Sequence, residues 1–457
     1  MVKLKRALGF WELTFTGIGI ILGAGIYVLI GEAAGIAGNM VWLSFLIAAI
    51  VAGLSGLSYS ELSSLFPKAG AEFVFTKKAF NKRLAFVIGW LLLLSPIISA
   101  AAVSLGFAGY FNAFFSTPII PTAIATLAVI SFILFYGIKE SVWFAVICAI
   151  IESIGLIAII FLAVPFLGSV DYFELPVGFG MAGVMSAAAL IFFAYIGFDE
   201  IVNMAEEVKD PTKNVPRATI AAIVFSTILY VLVAISAVSV MDWQVLGEST
   251  APLADIASQS FLGSNAFLVM GVIALFATIN TILLILLAAS RMTYGMARGK
   301  VLPSVLEKLH KVRQTPWVAI LFLFIASSIF VLIGEIGIVA NMTTVTILIS
   351  FFVINCAAIV LRYKMPNAKR KFKIPLNIGK FPILPLLGAI SCVVLVAQVE
   401  LNIILFGFGV VVLGFLLSYV FVKKEVKKKN ISKKAQKNRK RITKSKIKKV
   451  NRKKRKK

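Results

Sequence analysis

The sequence predicts an all-α integral membrane protein with twelve transmembrane helices, of which helices 1 and 6 are discontinuous near mid-membrane. Three observations carry that expectation: the composition, the number of membrane-length apolar stretches, and two glycine-marked breaks at equivalent points five segments apart. Of 457 residues, 60% are hydrophobic and only 14% charged, and the mean hydropathy is +0.97. A water-soluble chain of this size has too little polar surface to cover so much apolar material, so the solvent is a bilayer.

A bilayer core of about 30 Å takes about 20 apolar residues per helix. Stretches of that kind run from roughly 10 to 31, 41 to 66, 84 to 115, 118 to 137, 142 to 167, 178 to 205, 218 to 241, 265 to 297, 317 to 334, 341 to 362, 382 to 400 and 402 to 422. The pairs meeting at Thr117-Pro118 and between Glu400 and Asn402 rest on very short turns. The first stretch has a basic start, yet it is long, contains Glu12 and lacks a small-residue cleavage site, so it reads as an uncleaved span rather than a signal peptide. Pro96 inside the third span removes a backbone donor and predicts a kink.

Basic residues test the count independently, because Lys and Arg accumulate in cytoplasmic connections. All 46 fall before the first span, in alternate connections and their flanking helix ends, or after the last span. They include Lys3, Lys5 and Arg6 at the start, Lys68, Lys77, Lys78, Lys82 and Arg83 in the second connection, and Lys139 in the fourth. The sixth holds Lys209, Lys213 and Arg217, the eighth six residues from Arg291 to Arg313, and the tenth seven from Arg362 to Lys380. A wrong number of spans would spoil this partition, and both termini are accordingly expected in the cytoplasm.

The chain divides into a cytoplasmic N-terminus (1–9), spans one to five (10–167), spans six to ten (178–362), two further helices (382–422) and a tail (423–457). The tail carries 21 of the 46 basic residues and one of the 20 acidic ones, Glu425, so it is expected to stay solvated and disordered. It accounts for most of the net charge of +26. Attraction to anionic lipid headgroups is its expected consequence, with an inert topology anchor as the alternative; no nucleic-acid motif accompanies it.

The chemical inventory excludes more than it includes. Cys148, Cys356 and Cys392 all lie inside spans and read as packing residues, and the single histidine, His310, sits in a cytoplasmic connection. No metal is expected, because no Cys or His cluster has ligand spacing. No Gly-rich phosphate loop points to a nucleotide-driven pump. The spans hold serines and threonines without a His or Lys base, so an enzyme is not expected and no catalytic residue is assigned.

The breaks are Gly23-Ala24-Gly25 in the first span and Phe193-Ala194-Tyr195-Ile196-Gly197 in the sixth. Irregular backbone at membrane depth persists only where protein or a polar cavity satisfies its N–H and C=O groups, and paired breaks in two halves point to a substrate site. If the first span restarts at its break, the outer half-helix presents inward-facing N–H groups and a partial positive dipole, which suits a carboxylate. The sixth span enters from outside, so its outer half ends near Phe193 with carbonyls of Phe193, Ala194 and Ile196 able to accept from an ammonium. Carboxylate at one break and amine at the other describe an amino acid, with Gly25 and Gly197 allowing close approach and Phe193 covering the ligand. Gly35, Gly38, Gly53 and Gly56 are better explained by helix packing.

Six segments at matching spacing resemble one family: GIGIILGAGIY ending at Tyr27, YSELSSLFPKAGAEF from Tyr59, GIKES from Gly137, FFAYIGFDE from Phe192 running on to EEVKDPTKNVPRA, SRMTYGMARGKVLP from Ser290, and LHKVRQTPWVAI from Leu309. From Leu8 to about Val420 the chain is similar to amino acid-polyamine-organocation transporters, especially their cationic amino acid transporter branch. The resemblance implies a five-plus-five inverted repeat, the leucine-transporter-like fold that also serves as a standard illustration of the architecture, with two extra C-terminal helices. It implies the same ligand geometry, with carboxylate at Ala24 and Gly25 and amine at Phe193, Ala194 and Ile196. The candidate substrate-binding set is Ile20, Ile21, Gly23, Ala24, Gly25, Phe193, Ala194, Ile196 and Gly197, with Ser95 from the third span.

Two positions depart from that branch. Glu152 stands where the branch carries a lysine, and Ser95, five residues after Trp90, stands where it tends to carry a glutamate that reads a cationic side chain. Glu152 lies close to mid-membrane, where a charged acid costs about 2.5 to 3.5 kcal/mol even on lenient insertion scales. It is the candidate site for proton coupling; a sodium ligand and a permanently protonated packing residue are the alternatives. Asp199, two residues past Gly197, is a candidate to support the second break, against ordinary helix capping. Glu61, Glu206 and Glu207 sit toward cytoplasmic helix ends near Lys68, Lys78, Lys209 and Arg217 and read as solvated ends, with inward-gate pairing as the alternative.

The expectation is a permease in the plasma membrane that carries L-amino acids by alternating access. Proton symport needs no cofactor beyond the coupling ion; amino acid exchange, or a sensor that binds without translocating, are the alternatives.

Overall fold

The structure is a computed structural model and describes residues 8–68, 70–136, 142–176, 178–260, 262–298 and 302–421. Lys3, Lys5, Arg6, the GIKES segment with Lys139, and the basic tail from 423 onward lie outside the described residues. The chain is helical nearly throughout. Its first span is two helices, α1 (Phe10–Leu22) and α2 (Ala24–Ala37), followed by α3 (Val41–Leu65), the short α4 (Ala71–Ala79), α5 (Lys82–Phe115), α6 (Ile119–Tyr136) and α7 (Val142–Ala163). The next group begins with α8 (Gly180–Tyr195) and α9 (Phe198–Asn203), then α10 (Pro211–Val240), short α11 (Trp243–Glu248) and α12 (Pro252–Ser258), α13 (Ser264–Arg298), α14 (Trp317–Val331) and α15 (Ile336–Lys364). A two-strand hairpin, β1 (Asn377–Ile378) with β2 (Phe381–Pro382), precedes α16 (Ile383–Val396) and α17 (Leu401–Phe421).

Among the described residues, nine helical segments are long and apolar enough to cross a membrane, counting α1 through α3 as one segment, and α14 and α16 are shorter apolar helices. Helix starts follow local chemistry. Glu12, the acid of the first span, accepts the Gly9 N–H at 3.1 Å and so caps α1. Asn81 accepts the Leu84 N–H at 2.9 Å at the start of α5, and Pro211 opens α10 where a missing N–H costs nothing. The helix α5 continues through Pro96.

Side chains are arranged inside out. Large apolar residues such as Phe132, Phe161, Ile329, Phe408 and Leu416 face outward, while Ser58, Glu61, Thr278, Asn280, Thr344 and Asn355 are buried. Outward apolar faces suit lipid, and most inward polar groups find partners in protein, Thr344 Oγ1 and Asn280 Oδ1 being exceptions among the described residues. The helices α2 and α8 pack together, as do α3 with α10, α5 with α13, and α6 with α14. The helix α7 lies against α1 and α10, and α15 against α5 and α16.

Glycines expected to serve packing divide. Gly35 meets the Gly247 backbone and Gly56 the Ile223 side chain, but nothing lies within 4 Å of a Cβ placed on Gly53. Gly38 has φ of +61° and ends α2, a conformation that favours glycine.

Candidate functional site

Both anticipated breaks are present, and both are narrower than the sequence suggested. Only Gly23 separates α1 from α2, so Ala24 and Gly25 already belong to the restarted helix. Only Ile196 and Gly197 separate α8 from α9; Ile196 is extended and Gly197 has φ of +126°. That value lies where a Cβ is poorly tolerated, which explains the glycine.

The two breaks touch each other. A Cβ on Gly25 would stand 2.6 Å from the Ala194 Cα, and one on Gly197 would stand 2.5 Å from the Ile20 Cγ2. Gly23 faces Thr281, whose Oγ1 would be 2.7 Å from an added Cβ. In this arrangement the space beside Gly25 and Gly197 is therefore filled by the opposite broken helix. Phe193 and Ala194 are buried, and Ile21 with them.

Neighbouring helices satisfy the freed backbone. The Ala24 N–H donates to Thr281 Oγ1 at 3.0 Å. The Tyr230 hydroxyl on α10 lies 2.5 Å from the Ile21 carbonyl oxygen and 3.1 Å from that of Ala194, so one phenol ties the end of α1 to the end of α8. Phe193 O accepts the Ile196 N–H at 3.2 Å. The expectation that the Phe193 and Ala194 carbonyls stand free is thus corrected: each has a protein donor. A carbonyl oxygen has a second lone pair, so one partner does not exhaust its capacity. Asp199 Oδ1 accepts the Gly197 N–H at 3.1 Å.

Glu152 is fully buried on α7. Its Oε1 accepts from Asn280 Nδ2 at 3.2 Å, while its Oε2 and the Asn280 Oδ1 have no partner. Its backbone carbonyl accepts from the Tyr27 hydroxyl at 2.6 Å, and the Tyr27 carbonyl accepts from the Tyr110 hydroxyl at 2.7 Å. The main chain of α7 at Glu152 is thereby bonded to α2, the helix that restarts at the first break. Ser95 is buried on α5, with no hydrogen bond to either break among the described residues.

On the α9 side of the second break lies an acidic cluster. Asn203 Oδ1 accepts the Ala71 N–H at 3.0 Å, and Asn203 Nδ2 lies 3.4 Å from Glu72 Oε1. Burial, reinforced by the nearby Asp199, holds the Glu72 carboxyl well above the usual carboxylate range. The solvated reading of Glu61 is corrected as well. It is buried, it pairs with Arg362 and Arg370, and its Oε2 accepts the Ile374 N–H at 2.9 Å. Among the described residues, none of the lysines considered for it is a partner.

Sequence reasoning missed Tyr230, Thr281, Asn280, Tyr27, Tyr110 and Glu72. For Asn280 and Thr281 a signal existed, an adjacent polar pair near the middle of an apolar span. A polar side chain at that depth needs a partner.

Apolar outside, polar inside, and built around two interrupted helices in contact, the molecule is a multi-pass membrane permease in class. Residues 8–429 match the amino acid permease family, and the chain belongs to that family, within the amino acid-polyamine-organocation superfamily. It is similar to the branched-chain amino acid permease BcaP of Bacillus subtilis, at 32% identity over 450 residues, covering 93% of this chain and 95% of that protein. The methylthioribose transporter of the same organism is 32% identical over 420 residues, covering 85% and 87%. The vacuolar cationic amino acid transporter 2 of Arabidopsis thaliana is 30% identical over 392 residues, covering 80% of this chain and 61% of that protein.

Proposed function

We propose that this protein is a secondary transporter of L-amino acids that works by alternating access in the plasma membrane and couples uptake to protons. The observation that carries the reading is the meeting of the two breaks, with Gly25 against Ala194, Gly197 against Ile20, and Tyr230 bonded to both helix ends. Substrate enters when these surfaces part. Its carboxylate takes the first-turn amides of α2 at Ala24 and Gly25, displacing Thr281 Oγ1 from the Ala24 N–H, and its ammonium the carbonyls of Phe193, Ala194 and Ile196. Ile20, Ile21 and Gly23 line the same region, Phe193 covers the ligand, Ser95 faces the substrate side chain, and Asp199 braces Gly197.

The architecture proposed is twelve spans with both termini cytoplasmic, the first ten in a five-plus-five inverted repeat. Four of its five equivalent pairs pack together: the α1–α2 span with the α8–α9 span, α3 with α10, α5 with α13, and α6 with α14. That is the contact pattern of an internal dyad, with like facing like. The basic tail holds the cytoplasmic leaflet.

Glu152 is the proton-coupling site. An acid with one hydrogen bond, an unpartnered oxygen and no cation paired to it among the described residues lacks what an ionised group at this depth requires. Loading and unloading of a proton here alters the Asn280 bond, and Tyr27 passes the change to α2. Sodium ligation is the alternative role.

The test is transport by purified protein in liposomes, with labelled leucine and arginine, and methylthioribose because one relative is named for it. Accumulation driven by an acid exterior supports symport. Uptake only against internal amino acid makes the protein an exchanger, and saturable binding without entry makes it a sensor.

A further inference from the structure

The segment between α15 and α16 forms a half-open hollow of about 210 Å³ lined by Arg362, Arg370, Lys373 and Lys380, together with Pro366, Ala368 and Gly379. This volume is far more than the 10–15 Å³ or so that one water needs. The lining is built rather than incidental. Arg370 donates from its two terminal nitrogens to the carbonyls of Leu361, Met365 and Ala368, which wraps the segment around the end of α15. Its Nε lies 3.0 Å from Glu61 Oε1, and Arg362 uses Nε and Nη2 on the same carboxylate.

The electrostatic balance of the cavity is lopsided. Glu61 supplies one negative charge to four cations and is fully engaged by the two arginines and the Ile374 N–H. Neither Lys373 nor Lys380 has a carboxylate partner among the described residues, and both are exposed at the rim, Lys380 at the turn of the β1–β2 hairpin. Burial holds the Arg370 guanidinium below its ordinary range, with Glu61 opposing the shift and Arg362 adding to it. Positive-inside topology asks only that basic residues lie on this side of the membrane. It does not ask that four of the segment's seven converge on one hollow.

We infer that this hollow is an anion site for a phosphate group, carried on a lipid headgroup or free in the cytoplasm. Arg362 and Arg370 form its floor and Lys373 and Lys380 its rim. The Lys373 and Lys380 ammonium groups supply the donors, and the two guanidiniums beneath them, whose N–H groups are largely engaged by Glu61 and main-chain carbonyls, add positive charge. The site lies beside the start of α16, where a headgroup arrives from the leaflet and a soluble anion from the cytoplasm.

The test uses the full-length protein and two charge-matched variants, K373A/K380A at the rim and K369A/K371A in the same segment but outside the lining. Soluble binding is read by thermal stabilisation with inorganic phosphate at fixed ionic strength. Lipid binding is read by stability in nanodiscs of phosphatidylglycerol with phosphatidylcholine against phosphatidylcholine alone. The expected result is that K373A/K380A weakens phosphate binding about 30-fold, the loss for two cations near an anion, while K369A/K371A changes it little. A selective loss in the soluble arm assigns a free phosphate, and one in the lipid arm a headgroup. Equal effects of the two variants, or no effect of either in both arms, overturn the site. Because the pairs are compared with the tail intact, its contribution cancels. A transport defect plays no part in the readout, so failure of the proposed function leaves this result standing.

Discussion

Asn280 and Thr281 are neighbours on α13, and each holds one half of the proposed machinery. The first bonds the Glu152 carboxyl at 3.2 Å, and the second accepts the Ala24 N–H at 3.0 Å where α2 restarts. Adjacent residues on a helix point about 100° apart, so one turn of α13 meets both the acid on α7 and the first break.

Removing the acid should separate coupling from binding. Glu152→Gln keeps an oxygen to accept from Asn280 and cannot release a proton. Counterflow of labelled amino acid is expected to persist, while stimulation by an acid exterior disappears. Undiminished stimulation in that variant would remove Glu152 from coupling.

Tyr230→Phe deletes the hydroxyl shared by the Ile21 and Ala194 carbonyls. The single O–H proton that the two buried acceptors share is lost, at a cost of about 1–3 kcal/mol where no replacement forms. A lower melting temperature is expected, together with at least tenfold slower transport. A variant as stable and active as the parent would show that this phenol holds neither helix end.

Glycine substitutions should sort by contact. Gly25→Ala drives a methyl against the Ala194 backbone, and Gly197→Ala adds an unfavourable φ to a clash with Ile20, so both should abolish transport. Gly53→Ala, with open space around it, should be silent and slightly stabilising, by up to about 1 kcal/mol for a helical glycine. Uptake assays on the three variants rank them directly.

For Glu72 the sign of the pH effect follows from its raised pKa. The folded state binds a proton that the unfolded state has released, so stability falls as pH rises above the ordinary carboxylate range. Glu72→Gln keeps an acceptor for Asn203 and removes that dependence. Melting curves from pH 5 to pH 9 should converge at the acid end and favour the variant at the alkaline end; parallel curves would contradict the burial argument.

Much of the fold was legible because spanning helices are specified by local composition. Length, apolarity and the placement of Lys and Arg need no tertiary information, and glycines at membrane depth flag a break before any coordinate is known. The extent of each break was not legible, since whether Ala24 joins the helix depends on Thr281, 257 residues away. Tyr230 acts on residues in two other spans, and no periodicity reveals such a contact. Glu61 failed for a related reason. It sits near a helix end, where solvent is the ordinary partner, and its real partners are Arg362 and a connecting segment about 300 residues later.

One small contact ties the start of the first broken helix to the end of the second. Leu8, just before α1, pairs in parallel with Val208, just after α9: Leu8 N–H donates to Glu207 O at 3.1 Å and Lys209 N–H to Leu8 O at 2.8 Å. Two main-chain bonds of this kind act as a clasp. Any opening that swings α1 away from α9 has to unfasten it, and one that keeps it closed must carry α1 and α9 as a single lever.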